Sequence, residues 1–374
     1  SSHFRTSPAR ARFSSEPHRD RDGAETMATR PTAASAAATG PVCERFPESR
    51  FCGCTVPCRV RARRFYAAGV PERPGRPDDG QVVEAGRALA AGLERRSEMF
   101  GCGDDQKLLR LVTWNVLFDS ELAGPRWSAL LQEVGTLAPD IICFQEAVPC
   151  FARLVLAQPW APHFAASDAG GEGLSVAPDG ELLLVSRRLL PDGLDAKFQW
   201  VELPSDQGRR LVSCVLPGSL AVATAHLESM AGRAAIRREQ LEEAEKLLAP
   251  AARQLLLGDL NCIEELDVAT LAGLAGRGWS DAWGCAAVLE MGADPPEGEV
   301  AAEEGYTFDP LRNALAGKNG QQVARARLDR VLLRGFPPNC VCRAALLGTH
   351  PAALEDGICV LPSDHFGLVV DIKL

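Results

Sequence analysis

The chain has 374 residues, enough for two average domains or for one large α/β domain of about 250 residues behind an irregular leader, and the second arrangement is expected. Hydrophobic residues make up 46% and charged residues 24%, as in folded soluble proteins, and no run reaches the roughly 18 apolar residues of a membrane span. A net charge of −9 excludes a general electrostatic grip on nucleic acid, so any phosphate contact has to be local or carried by a metal.

From Ser1 to about Gly80 the sequence is rich in Arg, Ala, Pro and Ser with no sustained period of 2 or 3.6, which predicts disorder. Cys43, Cys52, Cys54 and Cys58 crowd into a basic part of it. A small zinc site is one reading, but the paired C-x2-C knuckles of zinc fingers are missing, which favours unstructured thiols. The odd total of 13 cysteines, with Cys143 and Cys214 alone inside apolar runs, fits a reducing compartment and a soluble intracellular protein. The chain opens on Ser1 with its first methionine at Met27 and shows no signal-peptide pattern, so its targeting stays open. Gln81 to Met99 has helical composition and predicts a lead-in helix, with a linker to residue 107.

The catalytic region is expected over 108–374. LLRLVTWNV from Leu108 is a strand of apolar and β-branched residues that ends in Asn115, and helical spacing returns at Trp127 to Leu137. DIICFQEAVP from Asp140 is a second buried strand whose end offers Gln145 and Glu146. Further strands are expected at Leu182 to Ser186, Leu211 to Val215 and Leu220 to Ser229, the last bringing His226 and Glu228. Arg233 to Leu248 predicts an amphipathic helix with Arg237, Glu239, Gln240 and Glu243 on its solvated face or rim. LLLGDLN then stops at Gly258 and delivers Asp259 and Asn261. After a polar insertion at Gly292 to Gly305, strands are expected at Ala326 to Leu333 and Val360 to Ile372. Short links between strands favour a sheet-on-sheet core flanked by helices over a doubly wound fold.

Polar residues with chemistry therefore sit where apolar strands stop: Asn115, Glu146, His226, Asp259 with Asn261, Asp329, and Asp364 with His365. Each has a plain explanation alone: Glu146 as a helix cap, His226 as a satisfied core histidine, Asp329 as the partner of Arg327 or Arg330. Together they suit water attack on a phosphate ester. Glu146 can hold a hard cation such as Mg2+, and Asn115 can orient the metal shell or a phosphate oxygen. Asp259 can accept the proton of the attacking water while Asn261 donates a hydrogen bond. His365, kept protonated by Asp329, can stabilise charge on a non-bridging oxygen.

TWN at Thr113 to Asn115, QE at Gln145 and Glu146, GDLN at Gly258 to Asn261, LDRVL at Leu328 to Leu332 and SDHFGL at Ser363 to Leu368 resemble the ordered motifs of the endonuclease/exonuclease/phosphatase superfamily. HLES at His226 to Ser229, the helix with Arg237, and GYTFD at Gly305 to Asp309 are most similar to its branch acting on tyrosyl–DNA adducts. The resemblance implies an α/β (α+β) fold, a four-layer αββα sandwich. It implies Mg2+, or else Mn2+, and hydrolysis of 5′-phosphotyrosyl bonds at single-stranded or frayed DNA ends during DNA repair, by a monomer in the nucleus with the cytoplasm as second compartment. It assigns Asp259, Asn261, His365, His226 and Asp329 to catalysis, Glu146, Asn115 and Asp364 to the metal, and Arg237 and Asp309 to substrate. Cys262, Ile263 and Glu264 follow GDLN where a basic residue is expected. The competing reading is another phosphoesterase of the same superfamily: an abasic endonuclease, an inositol phosphate phosphatase or a sphingomyelinase-like enzyme. A lipid enzyme should carry a signal peptide, a membrane segment or an exposed apolar lip, and none is expected. A non-catalytic binding module should lack an acid/base position, and all are present.

Overall fold

The structure, a computed structural model, describes residues 75–100, 108–168, 175–192, 194–290, 305–317, 324–353 and 359–374. The cysteine-bearing leader up to residue 74, the linker at 101–107 and most of the 292–305 insertion lie outside the described residues.

A capping box starts helix α1 (Asp79–Met99) two residues before its expected beginning. The Asp78 carboxylate accepts the Gln81 N–H at 2.8 Å, and the Gln81 side chain accepts the Asp78 N–H at 3.1 Å. The helix is packed down rather than merely leading in, since a Cβ at Gly92 would stand 2.5 Å from the Ala138 methyl. Its last turn inserts Arg96, 3% exposed, into a buried ionic network. Arg96 Nη1 lies 3.3 Å from Asp140 Oδ2 and 4.0 Å from Asp371 Oδ1. Arg188 Nε meets the other Asp140 oxygen at 2.6 Å, and Arg110 grips both Asp371 oxygens at 2.7 and 2.8 Å.

Two mixed six-stranded sheets follow. In sheet order the first consists of β11 (Val341–Leu347), β14 (Gly367–Lys373), β1 (Leu108–Asn115), β2 (Ile141–Ala147), β4 (Gly180–Ser186) and β3 (Phe164–Ala166). The second consists of β5 (Phe198–Glu202), β6 (Arg210–Leu216), β7 (Leu220–His226), β8 (Arg253–Asp259), β10 (Asp329–Arg334) and β9 (Trp279–Asp281). β12 (Ala352–Ala353) and β13 (Cys359–Val360) make a separate small ribbon.

The strands are apolar on both faces because each sheet is covered twice. From β1, Leu109 and Leu111 enter the core between the sheets, where Leu255, Leu257, Val331 and Leu333 meet them, while Val112 and Trp114 point the other way. That outer face is covered by α2 (Ala123–Leu137) and α3 (Pro149–Leu156), whose Trp127 and Phe151 pack edge-on 5.2 Å apart. Behind the second sheet, Leu241, Ala244 and Leu248 of α4 (Ala234–Leu248) and Leu274 of α5 (Glu265–Gly276) pack on Ala223, Leu256 and Leu332. Helix α6 (Ala282–Glu290) closes the inter-sheet core with Ala282 and Ala286. The outcome is the expected four-layer sandwich. No helix among the described residues is long and apolar enough to cross a membrane.

Several expected elements change. The strand from Leu220 stops at His226, and the one expected at Val360 to Ile372 breaks, with β14 starting only at Gly367. On α4, Arg237 and Gln240 were expected on the solvated face and instead are 1% and 0% exposed. Arg237 is buried because Asp267 of α5 receives its Nε at 2.9 Å and its Nη2 at 2.7 Å. Gln240 is buried because its amide bridges the Glu228 N–H and the Pro204 carbonyl, both at 2.8 Å.

The Arg96 network sets a ranking of stabilities. Three guanidinium groups share two carboxylates, so removing a carboxylate strands cations in a dry site, while removing one guanidinium restores the charge balance. Asp140→Asn is expected to lower the unfolding free energy by about 3 kcal/mol, and Arg96→Met by about 1 kcal/mol. Urea unfolding of both variants checks this; the reverse order would make Arg96 the group on which the network depends.

Candidate active site

Strand register brings the site together. β1 and β2 run parallel with Asn115 opposite Gln145, and in the other sheet β7 and β8 run parallel with His226 opposite Asp259. β10 runs antiparallel to β8 and starts with Asp329 opposite Asp259. Carboxyl ends of parallel pairs and the starts of their antiparallel neighbours thus share one edge of the sandwich. Gly258 permits the tight β7–β8 approach, since a Cβ there would lie 2.0 Å from the Ala225 carbonyl oxygen and its φ is +145°.

A bulge aims Glu146. Register against β4 shifts between Phe144 and Ala147, and Glu146 adopts φ +56°, a strained conformation for a residue with a Cβ. Its carboxylate accepts Asn115 Nδ2 at 3.1 Å and the Phe118 N–H at 3.2 Å. Asn115 Nδ2 also donates to Asp259 Oδ2 at 3.0 Å, so one amide ties the two sheets' carboxylates together. Burial and the nearby Asp364 push Glu146 up to about 7, and burial likewise raises Asp364.

Asp259 is 1% exposed, and burial, with the Asp329 charge adding to it, raises it to about 6 against the pull of His365 and Asn115. Its Oδ1 accepts the Asn261 N–H at 3.1 Å, and Oδ2 faces His226 Nε2 at 3.4 Å and His365 Nε2 at 3.8 Å. Asn261, at φ +50°, turns its Nδ2 to the Leu227 carbonyl at 3.2 Å.

The two histidines are in opposite states. His365 Nδ1 stands 2.8 Å from Asp329 Oδ2, and Asp329 with Asp259 and Asp364 outweigh its burial, raising it well above the usual imidazole range. It is an imidazolium. His226 is lowered, first by burial and then by Arg209. Arg209 Nη1 sits 2.9 Å from His226 Nδ1, and a guanidinium only donates, so Nδ1 accepts and the ring proton lies on Nε2, toward Asp259.

Among the described residues of the site, two groups of side chains are candidates for a divalent cation. Asp259, Asp329 and His365 place one ligand atom each within 4.8 Å of one another. A protonated His365 offers no lone pair, which counts against that group. Glu146 and Asp364 are the better fit: both carboxylates are half-buried and raised by that burial, the charge of Asp364 raises Glu146 further, and Asn115 Nδ2 donates to Glu146, an oxygen pair of the kind a hard cation offsets.

The structure therefore brings together Asn115, Glu146, His226, Asp259, Asn261, Asp329, Asp364 and His365. It does not bring Arg237 or Asp309 to the cluster. Arg237 is spent on Asp267 and on the Glu228 and Met230 carbonyls, both at 3.1 Å. Asp309, 0% exposed, takes Arg325 Nε at 3.0 Å and the Leu311 N–H at 3.0 Å, so neither residue presents its charge to a ligand directly.

Some contributors escaped sequence reading. Arg126 folds the loop after β1 by donating to the carbonyls of Asp119 at 2.7 Å, Glu121 at 2.9 Å and Pro362 at 3.2 Å. Trp114 holds His365 through its Nε1, 3.0 Å from the His365 carbonyl. Glu181 of β4 reaches the His226 N–H at 3.3 Å. Trp114 lies inside the TWN motif but gave no sign of its contact with His365, and neither Arg126 nor Glu181 lies in a run that distinguishes it from ordinary core or surface. Phe118, Leu122, Met230, Ile263 and Leu311, near candidate site residues in sequence, are 41, 40, 54, 49 and 82% exposed.

Glu181 yields a pH prediction. It is 2% exposed, its Oε2 has no hydrogen-bond partner among the described residues, and burial raises it to about 8. A carboxyl raised above its unfolded value, about 4.3, contributes stability that is complete below that value and lost as pH rises through about 8. Glu181→Gln should therefore gain on the native protein in melting temperature between pH 5 and pH 9, measured by scanning calorimetry. A constant difference across that range would mean that Glu181 ionises normally.

A model of the Endonuclease/Exonuclease/phosphatase family matches residues 112–365. No curated protein matches by sequence. Among solved structures, D. rerio TDP2 (tyrosyl-DNA phosphodiesterase 2) complexed with single-strand DNA product is similar at 22% identity and TM-score 0.53, over 71% of this chain and 98% of that one. TDP2 from C. elegans is similar at 19% identity and TM-score 0.53, over 81% and 96%. Sphingomyelinase C from Streptomyces griseocarneus is similar at 18% identity and TM-score 0.52, over 71% and 99%. Such likenesses establish the fold, and the sequence match across most of the folded region establishes the kinship: the chain belongs to the endonuclease/exonuclease/phosphatase family.

Proposed function

We propose that the chain is a divalent-metal phosphodiesterase that hydrolyses 5′-phosphotyrosyl bonds at single-stranded or frayed DNA ends, acting as a monomer in nuclear DNA repair. The observation that carries the chemistry is Asp259, a buried carboxylate raised to about 6 between a neutral His226 and a charged His365. A base titrating near neutrality beside fixed donors is what proton removal from water requires.

Asp259 accepts a proton as a water oxygen bonds to phosphorus. The bond from phosphorus to the tyrosyl oxygen breaks, leaving a 5′-phosphate on the DNA. His365, its charge held by Asp329, donates from Nε2 to a non-bridging oxygen, and His226 Nε2–H donates to another. Asn261 keeps its second amide proton for the phosphate. Glu146 and Asp364, with Asn115, would hold Mg2+ or Mn2+, which when bound draws electron density from the phosphoryl group. A tyrosine phenol, with pKa near 10, departs without a strong general acid, which leaves both histidines to donate to the phosphate oxygens. A strand end also needs few phosphate contacts, which suits a net charge of −9.

A second reading, hydrolysis of a lipid phosphodiester, draws support from the exposed apolar side chains near the site residues in sequence. Assay with Mg2+ on a 5′-tyrosyl oligonucleotide, an abasic duplex, inositol polyphosphate and sphingomyelin separates the readings. The tyrosyl substrate is expected to lead in kcat/KM, and a tenfold lead by another would replace the proposal.

Variants test the roles. Asp259→Asn and His365→Ala should each lower kcat by on the order of 10² or more with smaller effects on KM, and Asp329→Asn should resemble a milder His365 change. Glu146→Gln should abolish stimulation by Mg2+ while leaving the metal-free melting transition nearly in place. Full activity of Glu146→Gln in Mg2+, or of the native protein in excess EDTA, would remove the metal from the reaction.

A further inference from the structure

Beside the catalytic cluster lies a built surface that the reaction above leaves unused. Phe308 forms isolated β-bridges with both Ala326 and His365, and its ring stands edge-on to the His365 imidazole with centroids 5.2 Å apart. Thr307 accepts the Asp329 N–H on its hydroxyl at 3.0 Å, fixing the same segment to the site. Flanking the Phe308–Ala326 bridge, Tyr306 and Arg325 stack, the guanidinium carbon 4.5 Å from the ring centroid. Buried Asp309 locks the stack by taking Arg325 Nε at 3.0 Å and Nη2 at 2.9 Å on its Oδ2. The Arg325 side chain still keeps 42% of its surface in solvent.

The chemistry of this arrangement is selective. Asp309 cancels the charge of Arg325 and occupies one edge of its fork, so the pair is a poor phosphate clamp. What remains is a flat, rigid π-surface, with its rotamers fixed before any ligand arrives. We infer that Tyr306 and Arg325, positioned by Asp309, form a stacking platform for an unpaired nucleobase next to the terminal phosphate. The inference rests on the DNA-end reading above and adds the residues that would favour unpaired ends, because a base inside a duplex cannot offer its face to a protein.

Fluorescence anisotropy with full-length protein and short 5′-phosphorylated single strands tests it, using fully based strands and strands with one abasic residue at the first, second or third position. Arg325→Ala and Tyr306→Ala should each weaken binding of the based strand by about tenfold. Arg325→Lys should weaken it as much, since it keeps the charge and loses the plane. For one abasic position these losses should vanish, the native protein binding as weakly as the variants. Native-like affinity of Arg325→Lys would make Arg325 a charge contact and overturn the inference. Equal losses on based and every abasic strand would do so too, showing that the stack only shapes the loop. Hydrolysis of bis(p-nitrophenyl) phosphate by the native protein reports the chemistry without any base. If that proceeds while no single strand binds, the DNA-end reading falls together with the platform; if single strands bind and the variants match the native protein, the platform alone falls.

Discussion

Four carboxylates, Glu146, Asp259, Asp329 and Asp364, converge where the two sheets end, and the charge this concentrates has to be balanced within a nearly dry space. His365 supplies the one imidazolium there, pinned to Asp329 at 2.8 Å, while Asn115 shares a single amide between Glu146 and Asp259. Most other features of the edge follow from this balance. His226 stays neutral because Arg209 has taken its Nδ1, so the cluster gains a donor and no second cation. Arg126 spends its donors on carbonyls of the adjoining loop, fixing that loop rather than neutralising the acids at contact range.

Outside the cluster the same economy recurs. Guanidinium groups hold segments of chain, as the buried Arg237 does for the turn after His226 and the partly exposed Arg325 does with Asp309. An arginine with several donors suits that work because one side chain can satisfy the several carbonyls that a non-repeating segment leaves unpaired.

Much of the site was legible in the sequence because strands buried on both faces are apolar until they end. Where LLRLVTWN, DIICFQE and LLLGD stop, Asn115, Glu146 and Asp259 must leave the core, and their chemistry is exposed to reading. Helical residues were harder. Periodicity on α4 put Arg237 and Gln240 on the wet side, since nothing local announces that α5 will cover them with Asp267. Glu181 and Arg209 were out of reach for a similar reason: their importance lies in contact with His226, 45 and 17 residues away. The helices α3, α5 and α6 were missed as well, α5 because its apolar residues surround it instead of forming a stripe.

The two sheets also repeat a theme: β1, α2 and β2 in one, and β7, α4 and β8 in the other, are strand–helix–strand units with parallel strands at the centre of each sheet. One unit carries Asn115 and Glu146, the other His226 and Asp259, so the catalytic edge is a seam between halves. The thickness of the leucine and valine layer between the sheets sets the spacing across that seam, with Leu111, Leu183, Leu257 and Val331 among its members, and Phe308 bridges it at one point by pairing with both Ala326 and His365. Those side chains work as spacers of a caliper. A methylene gained or lost in that layer would open or close its jaws, and the chain would keep its fold while His226 and Asp259 drifted out of reach of Asn115 and Glu146.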